Sequence, residues 1–304
     1  MKVAGFTEAG PPGVLRVLEI EDPHPGPGQV RIKVRAAGVQ PYDAAVRAGW
    51  EPPGADLRWP RVPGNEFAGV VDEVGEGVTE VRVNDEVLGF TQLRAYAEYV
   101  VVPQDQVTAK PEDMPWTVAG GFTAGAQTAH IALEVLKVTK GDTILIHAAA
   151  GSVGTAAVQL ATLQGARVIG TASETNQVYV RSLGATPVVY GDGLLERVKQ
   201  AAPEGVDAVL DGAGGAALEV SLRLVEDRSR ILTLVEHEKA AGLGVRVSKS
   251  GRSAERLAEL AALYAKGDLR FHVRKTYPLS QAADAHREIE TGHGRGKVVI
   301  EFAS

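Results

Sequence analysis

Short segments in which apolar and polar residues alternate dominate the N-terminal part of the chain. Residues 30–36 read Val-Arg-Ile-Lys-Val-Arg-Ala, an alternation typical of a strand with one buried face. Residues 67–74 and 86–90 are predicted to form two further strands, and Gly75 and Gly77 between them fit a turn. Short strands at this spacing predict a small antiparallel β-barrel.

Beyond residue 115 the pattern changes to apolar strands that alternate with helix-like segments. The predicted strands are residues 143–147, 167–171, 187–190, 206–211 and 230–235. The predicted helices are residues 117–138, 152–163, 176–183, 194–201 and 216–224. Strands that alternate with helices predict a parallel, doubly wound sheet, and their nearly continuous apolar runs fit burial on both faces.

The C-terminal part does not simply extend this alternation. After a further predicted helix at 253–266, residues 271–279 and 296–302 are predicted strands on either side of a helix at 280–290. Periodicity alone leaves open whether these elements return to the N-terminal group of strands.

Composition narrows the class of protein. A length of 304 residues predicts about two domains. The formal net charge of −6, without a basic block, argues against nucleic acid or an anionic membrane as the main partner. Cysteine is absent, which excludes disulfides, thiolate nucleophiles and thiolate zinc sites. No segment is typical of a signal peptide or a membrane span, so we expect a soluble, cytoplasmic protein.

The strongest chemical signal is the segment Ala149–Gly154, which follows a predicted strand and opens a predicted helix. It matches the dinucleotide-binding fingerprint with alanine in place of the first glycine. Gly151 would let the backbone approach a pyrophosphate, and Gly154 would let the helix pack closely on the sheet. The predicted pyrophosphate contacts are Ala150, Gly151, Ser152, Val153 and Gly154. The alternative is a tight turn that binds no ligand.

The end of the next strand bears on the choice of cofactor. A carboxylate there would bind the ribose of NAD, but the chain has Thr171-Ala172-Ser173 and no acid before Glu174. Hydroxyl, amide and cationic groups favour a 2′-phosphate, so we predict NADPH as the cofactor. The predicted contacts are Thr171, Ser173, Asn176, Arg181 and Tyr190. An exposed helix face for Arg181 and strand-end packing for Tyr190 are the alternatives.

These motifs resemble those of the zinc-independent quinone oxidoreductases, within the medium-chain dehydrogenase/reductase superfamily. The resemblance is carried by residues 147–154, by Ala124-Gly125 and Thr128-Ala129, and by the stretches 37–43, 62–71 and 292–299. It implies an α/β protein with a GroES-like β-barrel domain (1–120 and 256–304) and an inserted doubly wound Rossmann domain (121–255), with the active site in the cleft. It also implies two-electron hydride transfer from NADPH to a quinone or another α,β-unsaturated carbonyl, commonly in a homodimer.

The resemblance also suggests further site residues. Thr128 would lie near the nicotinamide, and Gly212, Ala213 and Val235 would line the nicotinamide and its ribose. Tyr190 matches a family tyrosine near the adenosine phosphate.

On the substrate side we predict Gln40, Asn65 and Trp50, although core packing would equally explain the tryptophan. Gln40 stands where the family usually has asparagine. Asn65 stands where zinc-dependent relatives have a histidine, and because asparagine is a poor zinc ligand we predict no metal. Asp43 and Arg47 have the spacing of a helical ion pair. No catalytic acid or base stands out, so the proton donor stays open.

Two other functions fit the same fold. An enoyl-thioester reductase would use the same hydride chemistry on a carrier-bound chain. A non-enzymatic NADPH-binding sensor also fits, because tyrosines that some relatives carry are replaced here by Ala45 and Glu51. A hydrolase is a poor fit, since the sequence has no G-x-S-x-G motif.

Overall fold

A computed structural model describes residues 1–248 and 251–303, and the elements below are those within these residues. The strands are β1 Lys2–Gly5, β2 Arg16–Glu19, β3 Gln29–Val39, β4 Glu66–Val74, β5 Glu86–Phe90, β6 Tyr99–Pro103, β7 Val107–Ala109, β8 Thr143–Ile146, β9 Arg167–Ala172, β10 Thr186–Val189, β11 Ala208–Asp211, β12 Ile231–Thr233, β13 Arg246–Val247, β14 Val273–Pro278 and β15 Lys297–Glu301. The α-helices are α1 Pro41–Arg47, α2 Trp116–Val135, α3 Ser152–Leu163, α4 Gln177–Ser182, α5 Leu194–Ala201, α6 Ala216–Leu224, α7 His237–Leu243, α8 Ala254–Ala265 and α9 Ala282–Glu290.

The chain divides into two compact units. The first unit contains Met1–Ala124, Ser253–Gly267 and His272–Ser304, and the second contains Gly125–Arg252 and Asp268–Phe271. The first boundary therefore falls within α2.

The second unit is built on a six-stranded parallel sheet in the order β10-β9-β8-β11-β12-β13. The order reverses between β8 and β11, as in doubly wound dinucleotide-binding sheets, and ligands of such sheets bind beyond the carboxyl ends of the strands at this reversal. Leu145, Ile169 and Val209, one from each of the three central strands, are fully buried in its core. The predicted parallel, doubly wound sheet is confirmed.

The first unit contains a seven-stranded sheet in the order β14-β15-β3-β4-β5-β7, with β6 also paired to β3. Its pairs are antiparallel except β14 and β15, which run parallel. The exception follows from connectivity, because α9 links these two strands and a helical crossover returns the chain in the same direction. A separate antiparallel pair joins β1 and β2.

Strand β3 is longer than its predicted span, 30–36. Residues Ala36–Val39 pair with β15, near the other end of the chain. The local alternation of apolar and polar residues gives no information about such a distant partner, so the predicted strand ends too early. The pattern also missed the strands β1, β2, β6 and β7, the two-residue strand β13, and the helix α7.

No helix among the described residues has the length and apolar character needed to cross a membrane.

Candidate active site

The turn between β8 and α3 carries the glycine pattern identified in the sequence. Gly151 precedes α3 with extended backbone angles, φ −72° and ψ 177°. Ala148 takes a left-handed conformation, φ +56°, and its carbonyl accepts a 3.0 Å hydrogen bond from the Gly151 amide. Gly151 offers no side chain to cap the helix, so the first amides of α3 remain available to an anion.

The two glycines of this turn have different surroundings. A Cβ at Gly154 would lie 2.6 Å from the Cα of Ala149, so packing of α3 against the strand end requires glycine there. A Cβ at Gly151 would meet, among the described atoms within 4 Å, the Ala148 carbonyl oxygen at 3.3 Å. Internal packing thus explains Gly154, whereas a ligand that approaches the backbone closely would account for Gly151.

Ser152, the first residue of α3, has a buried hydroxyl. Within the described part of the chain this hydroxyl has no hydrogen-bond partner. A buried polar group without a partner costs about 1–3 kcal/mol. A ligand with oxygen acceptors at the start of α3 would remove that cost.

His147 joins three elements at the end of β8. Its Nδ1 lies 2.9 Å from the Thr171 hydroxyl, and its Nε2 lies 3.1 Å from the Ser221 hydroxyl. Burial lowers the pKa of this imidazole to about 4, so the ring is neutral at pH 7. These contacts give His147 a structural role, and they engage the hydroxyl of Thr171 inside the sheet.

Four of the predicted 2′-phosphate residues follow β9 or β10 along the chain. The Ser173 hydroxyl accepts a 3.1 Å hydrogen bond from the Asn176 amide. Arg181 is exposed in the last turn of α4, and Tyr190 is 46% exposed directly after β10. The Tyr190 amide and the Ala172 carbonyl, 3.4 Å apart, connect the two strand ends.

Arg197, which the sequence analysis did not single out, holds the turn that contains Tyr190. Its guanidinium donates to four successive carbonyls, those of residues 189 to 192, at distances from 2.7 to 3.4 Å. A planar, five-donor group is well suited to fix one turn conformation in this way.

Asp211 organises the predicted nicotinamide loop after β11. One carboxylate oxygen accepts from the amides of Ala213 (3.0 Å) and Gly214 (2.8 Å), and the other accepts from the Thr233 hydroxyl at 2.8 Å. A Cβ at Gly212 would lie 3.1 Å from the His147 carbonyl oxygen, so this loop passes close to the β8 end.

The remaining two predicted cofactor residues have different exposures. Val235 is 49% exposed beyond β12, and its amide donates to the Thr233 hydroxyl at 3.2 Å. Thr128 lies within α2 and is half-buried.

In the first unit, the structure brings Gln40 and Asn65 together, and the Gln40 amide nitrogen donates to the Asn65 side-chain oxygen. Two residues that sequence reasoning missed complete the cluster. Lys297 donates to the Gln40 side-chain oxygen at 2.6 Å and forms an ion pair with Glu66 at 2.5 Å. Each is the first residue of its strand and is followed directly by buried residues without charge, a signal that could have indicated a buried ion pair.

Trp50 is not part of this cluster as the structure describes it. Its ring is 46% exposed and packs edge-on against Tyr42, with ring centroids 5.2 Å apart.

The predicted Asp43–Arg47 ion pair is wrong. The fully buried Asp43 carboxylate accepts from the Tyr96 hydroxyl at 3.0 Å and also caps the start of α1 through the Gln40 amide. Arg47 instead pairs with Glu290 at 2.5 Å. Tyr96 and Glu290, both distant in sequence, therefore replace the local pair at this buried position, where polar groups need hydrogen-bond partners.

A histidine in the same buried region provides a test by pH. His286 packs edge-on against Tyr96, and burial, together with the charge of Arg47, lowers the pKa of its imidazole to about 3. In the unfolded chain the imidazole has its ordinary pKa near 6.5. Between pH 6.5 and 3 the ring is therefore protonated in the unfolded chain but neutral in the folded protein. The folded state loses stability as the pH falls through this range, because protonation favours the unfolded chain. The unfolding free energy of wild type should decrease on acidification below pH 6.5. In His286→Phe this decrease should be smaller by about 1 kcal/mol per pH unit.

Chemical denaturation at pH 4.5 to 7 measures this effect, with the exposed His293→Phe as control. Burial raises the pKa of Asp43 to about 7, so that group stabilises the fold as the pH falls from 7 towards 4 and opposes the histidine. Comparing wild type with His286→Phe isolates the histidine, because Asp43 is present in both. Parallel profiles for these two proteins would contradict the assignment of a buried neutral imidazole.

Two families match the sequence in separate stretches. The alcohol dehydrogenase GroES-like domain matches residues 26–112. The zinc-binding dehydrogenase family matches residues 183–300.

Two named relatives align with nearly all of the chain. A quinone oxidoreductase from Sus scrofa is 30% identical over 316 positions, covering 97% of this chain and 95% of the relative. A pikromycin polyketide synthase component from Streptomyces venezuelae is 35% identical over 301 positions, covering 92% of this chain and 8% of that longer protein. The chain thus resembles one segment of the polyketide synthase.

A solved structure agrees with these alignments. A mycobacterial protein in complex with NADPH is 31% identical, covers 99% of this chain and 100% of its own, and superposes with a TM-score of 0.85. The predicted fold class, a GroES-like domain together with a Rossmann domain, is confirmed by the sheets and by these matches. The chain therefore belongs to the quinone oxidoreductase group of the medium-chain dehydrogenase/reductase superfamily of oxidoreductases.

Proposed function

We propose that this protein is a zinc-free reductase that uses NADPH to reduce a quinone or another α,β-unsaturated carbonyl. The observation that carries the proposal is the turn between β8 and α3, at the point where the order of the parallel strands reverses. At this position, Gly151 leaves the backbone open to close approach and α3 presents its first amides.

The residues of this turn fit a dinucleotide diphosphate. The amides of Ser152, Val153 and Gly154 begin α3, where backbone N–H groups and the helix dipole favour an anion. The buried Ser152 hydroxyl, without a partner in the described residues, would gain an acceptor from a phosphate oxygen. When bound, the reduced nicotinamide supplies a hydride to an electrophilic carbon.

The chain's own residues would orient that cofactor. Asp211 fixes the loop of Gly212 and Ala213 through amide hydrogen bonds, and Arg197 fixes the turn of Tyr190. Such residues act by holding the reacting groups at a productive distance. Thr128 and Val235 remain predicted neighbours of the nicotinamide.

Support for NADPH over NADH comes from the residues after β9. Ser173 and Asn176 are hydrogen-bonded to each other, and Tyr190 follows the neighbouring strand end. Together with the exposed Arg181 in the last turn of α4, they offer hydroxyl, amide and cationic donors, which suit a 2′-phosphate. The structure of a relative in complex with NADPH supports the same choice.

The donor set near Asn65 does not suit a catalytic zinc. The Glu66 carboxylate is neutralised by Lys297, and the Asn65 side-chain oxygen already accepts from Gln40. Without a Lewis acid the protein needs an acceptor that takes hydride readily. Quinones and enones do, because the developing negative charge is delocalised onto a distant oxygen.

An enoyl-thioester reductase is the second candidate function. The observation that favours it is the 35% identity to a polyketide synthase component across 92% of this chain. The hydride chemistry is the same for both candidates, so only the acceptor distinguishes them.

Steady-state oxidation of NADPH, with quinones, alkenals and enoyl thioesters as alternative acceptors, tests the proposal. We expect kcat/KM for the best quinone or alkenal to lie within the ordinary enzyme range of about 10⁴–10⁸ M⁻¹s⁻¹ and to exceed that for thioesters. We also expect NADPH to raise the melting temperature more than NADH does at equal concentration.

Each part of the proposal has its own contrary result. A preference for thioesters would favour the second candidate, and tight NADPH binding without oxidation of any acceptor would indicate a sensor. Equal thermal shifts from the two cofactors would contradict the choice of NADPH.

We further propose that residues 1–120 with 256–304 and residues 121–255 are the two folding domains, and that the protein is a cytoplasmic homodimer. Light scattering after gel filtration tests the dimer, and the expected mass is twice the 32.0 kDa of the chain.

A further inference from the structure

The side chain of Glu236 connects the loop that follows β11 to the loop that follows β12. One carboxylate oxygen, Oε1, accepts a 3.0 Å hydrogen bond from the Gly215 amide, and the other, Oε2, lies 3.0 Å from the Lys239 ammonium group. The Glu236 amide itself donates to the Thr233 hydroxyl at 3.1 Å. Because β11 and β12 are paired neighbours, this one residue joins the ends of two adjacent strands.

The loop held in this way, residues 212–215, has an unusually free backbone, and we call it the glycine loop. Three of its four residues are glycine. Gly214 has φ +71°, and Gly215 has φ +51° and ψ −129°, a conformation that residues with a side chain hardly populate. A Cβ at Gly214 would lie 3.1 Å from the Val235 side chain and 3.3 Å from that of Glu236, so the two loops pack directly on each other.

The strand order indicates which part of a bound dinucleotide would meet the glycine loop. The turn proposed for the diphosphate follows β8, whereas Ser173 and Tyr190 follow β9 and β10, on one side of β8. The glycine loop follows β11, which pairs with β8 on its other side, and a Cβ at Gly212 would lie 3.1 Å from the His147 carbonyl oxygen. A dinucleotide centred on that turn would therefore extend its nicotinamide half across the ends of β11 and β12.

We propose that Glu236 is a positioning residue for the nicotinamide half of NADPH, because it holds the glycine loop in one conformation before the cofactor binds. The proposal rests on the proposed function, which places NADPH at this edge of the sheet. It assigns Glu236 an action through the Gly215 amide, not a contact with the cofactor. The sequence analysis named Gly212, Ala213 and Val235 in this region and missed the acid beside them.

Preorganisation of the loop gives this contact its effect on affinity. Ordering a flexible segment costs free energy, and when the segment is ordered only on binding, that cost reduces the affinity for the ligand. Asp211 fixes the near end of the loop through the amides of Ala213 and Gly214. Glu236 fixes the far end at Gly215, so both ends are held in the free protein.

The charge of the Glu236 carboxylate suits this contact. The hydrogen bond from the Gly215 amide, together with Lys239, holds the pKa of Glu236 below the usual range for glutamate, so the carboxylate is ionised at pH 7. Gly215 directly precedes α6, and a negative charge near a helix N-terminus is favourable. Stabilisation of α6 alone would also explain the contact, so the test must separate that effect from cofactor binding.

Two substitutions of Glu236 test the proposal by isothermal titration calorimetry. Glu236→Ala removes the acceptor for the Gly215 amide, whereas Glu236→Gln keeps a side-chain oxygen that can accept from it. The dissociation constant of NADPH should rise by about 10-fold in Glu236→Ala, because the loop must then be ordered on binding. In Glu236→Gln it should stay within about 3-fold of wild type. Glu238→Ala, which removes an exposed acid of α7, is the matched control and should bind NADPH as wild type does.

Adenosine 2′,5′-bisphosphate is the second ligand of this experiment, because it lacks the nicotinamide half of the cofactor. We expect wild type, Glu236→Ala and Glu236→Gln to bind it equally well, since its 2′-phosphate would lie on the β9 and β10 side of the sheet. An equal loss of affinity for both ligands in Glu236→Ala would overturn the proposal, because it would indicate a general disturbance of the second unit. Unchanged NADPH affinity in Glu236→Ala would overturn it as well.

Hydrogen exchange of the Gly215 amide supplies a readout on the protein without cofactor. In Glu236→Ala this amide should exchange about 10-fold faster than in wild type, because its acceptor is gone. The amides of Ala213 and Gly214, which Asp211 accepts, should keep their wild-type exchange rates. Equal exchange of the Gly215 amide in the two proteins would show that Glu236 does not hold the loop, and the proposal would fail.

The outcomes distinguish this proposal from the proposed function. If wild type oxidises NADPH with a quinone or enone while Glu236→Ala binds NADPH as tightly as wild type, the role of Glu236 is wrong and the function stands. If wild type binds no NADPH, the proposed function and the role of Glu236 fail together.

Discussion

Replacing Gly151 with valine is expected to abolish NADPH binding while the protein remains folded. The Gly151 backbone has φ −72°, which valine adopts freely, and the nearest described atom to a new Cβ is the Ala148 carbonyl oxygen at 3.3 Å. The side chain would instead occupy the space that a diphosphate needs beside the first amides of α3. At an NADPH concentration about 100 times the dissociation constant, wild type should gain about 2.7 kcal/mol of unfolding free energy, or about 5 °C in melting temperature. The variant should gain nothing.

Two further glycine variants complete this experiment. Gly26→Val is the matched control, because a Cβ at Gly26 would have its nearest neighbour at a similar distance, 3.2 Å. Gly26 is distant from the turn in sequence and belongs to the first unit, whereas Gly151 belongs to the second. It should retain the full thermal shift. Gly154→Val should destabilise the apo protein, since its side chain would push α3 away from Ala149. A Gly151→Val protein that still shows the wild-type shift would refute the assignment of the diphosphate to this turn.

Replacing Lys297 alone with methionine should destabilise the protein by about 3–5 kcal/mol. The Glu66 carboxylate is fully buried and its ion pair with Lys297 is 2.5 Å long. Without the ammonium group, that carboxylate is left in a buried site with no compensating charge, and desolvation dominates. Urea denaturation at pH 7 measures the loss.

The partner substitution should reverse most of this loss. Glu66→Gln in the Lys297→Met background removes the stranded charge and leaves an amide oxygen that can still accept from Ala124. We expect the double variant to recover to within about 2 kcal/mol of wild type, the ordinary range for a single core substitution. Equal stability of the single and double variants would show that the ion pair does not balance a buried charge.

The parts of the site that sequence predicted well are those formed by neighbouring residues. The turn from His147 to Gly154 depends on a strand, a short glycine-containing loop and a helix that follow each other directly. The local sequence pattern is therefore sufficient to predict the geometry of this turn. The same is true of α5 and α6, whose bounds match the predicted spans. Local patterns determine local geometry wherever the buried face follows the helical or strand period.

The parts that sequence missed depend on partners that are far away along the chain. The spacing of Asp43 and Arg47 fits a helical pair, but Tyr96 and Glu290 satisfy them instead. Likewise, nothing near Gln40 indicates that Lys297 will orient its amide. A buried polar group is satisfied by whichever partner the tertiary fold brings near, and one sequence without its fold does not reveal that partner.

The position of β15 between β14 and β3 has a consequence for synthesis on the ribosome. All the described strands of the second unit have been made once residue 247 is complete, so its sheet can close while the chain is still growing. The N-terminal sheet has no β15 until residues 297–301 emerge, and until then the Ala36–Val39 edge of β3 lacks its neighbour. An unpaired apolar edge is prone to aggregation, so the unit whose synthesis begins first is the one that depends longest on protection during translation.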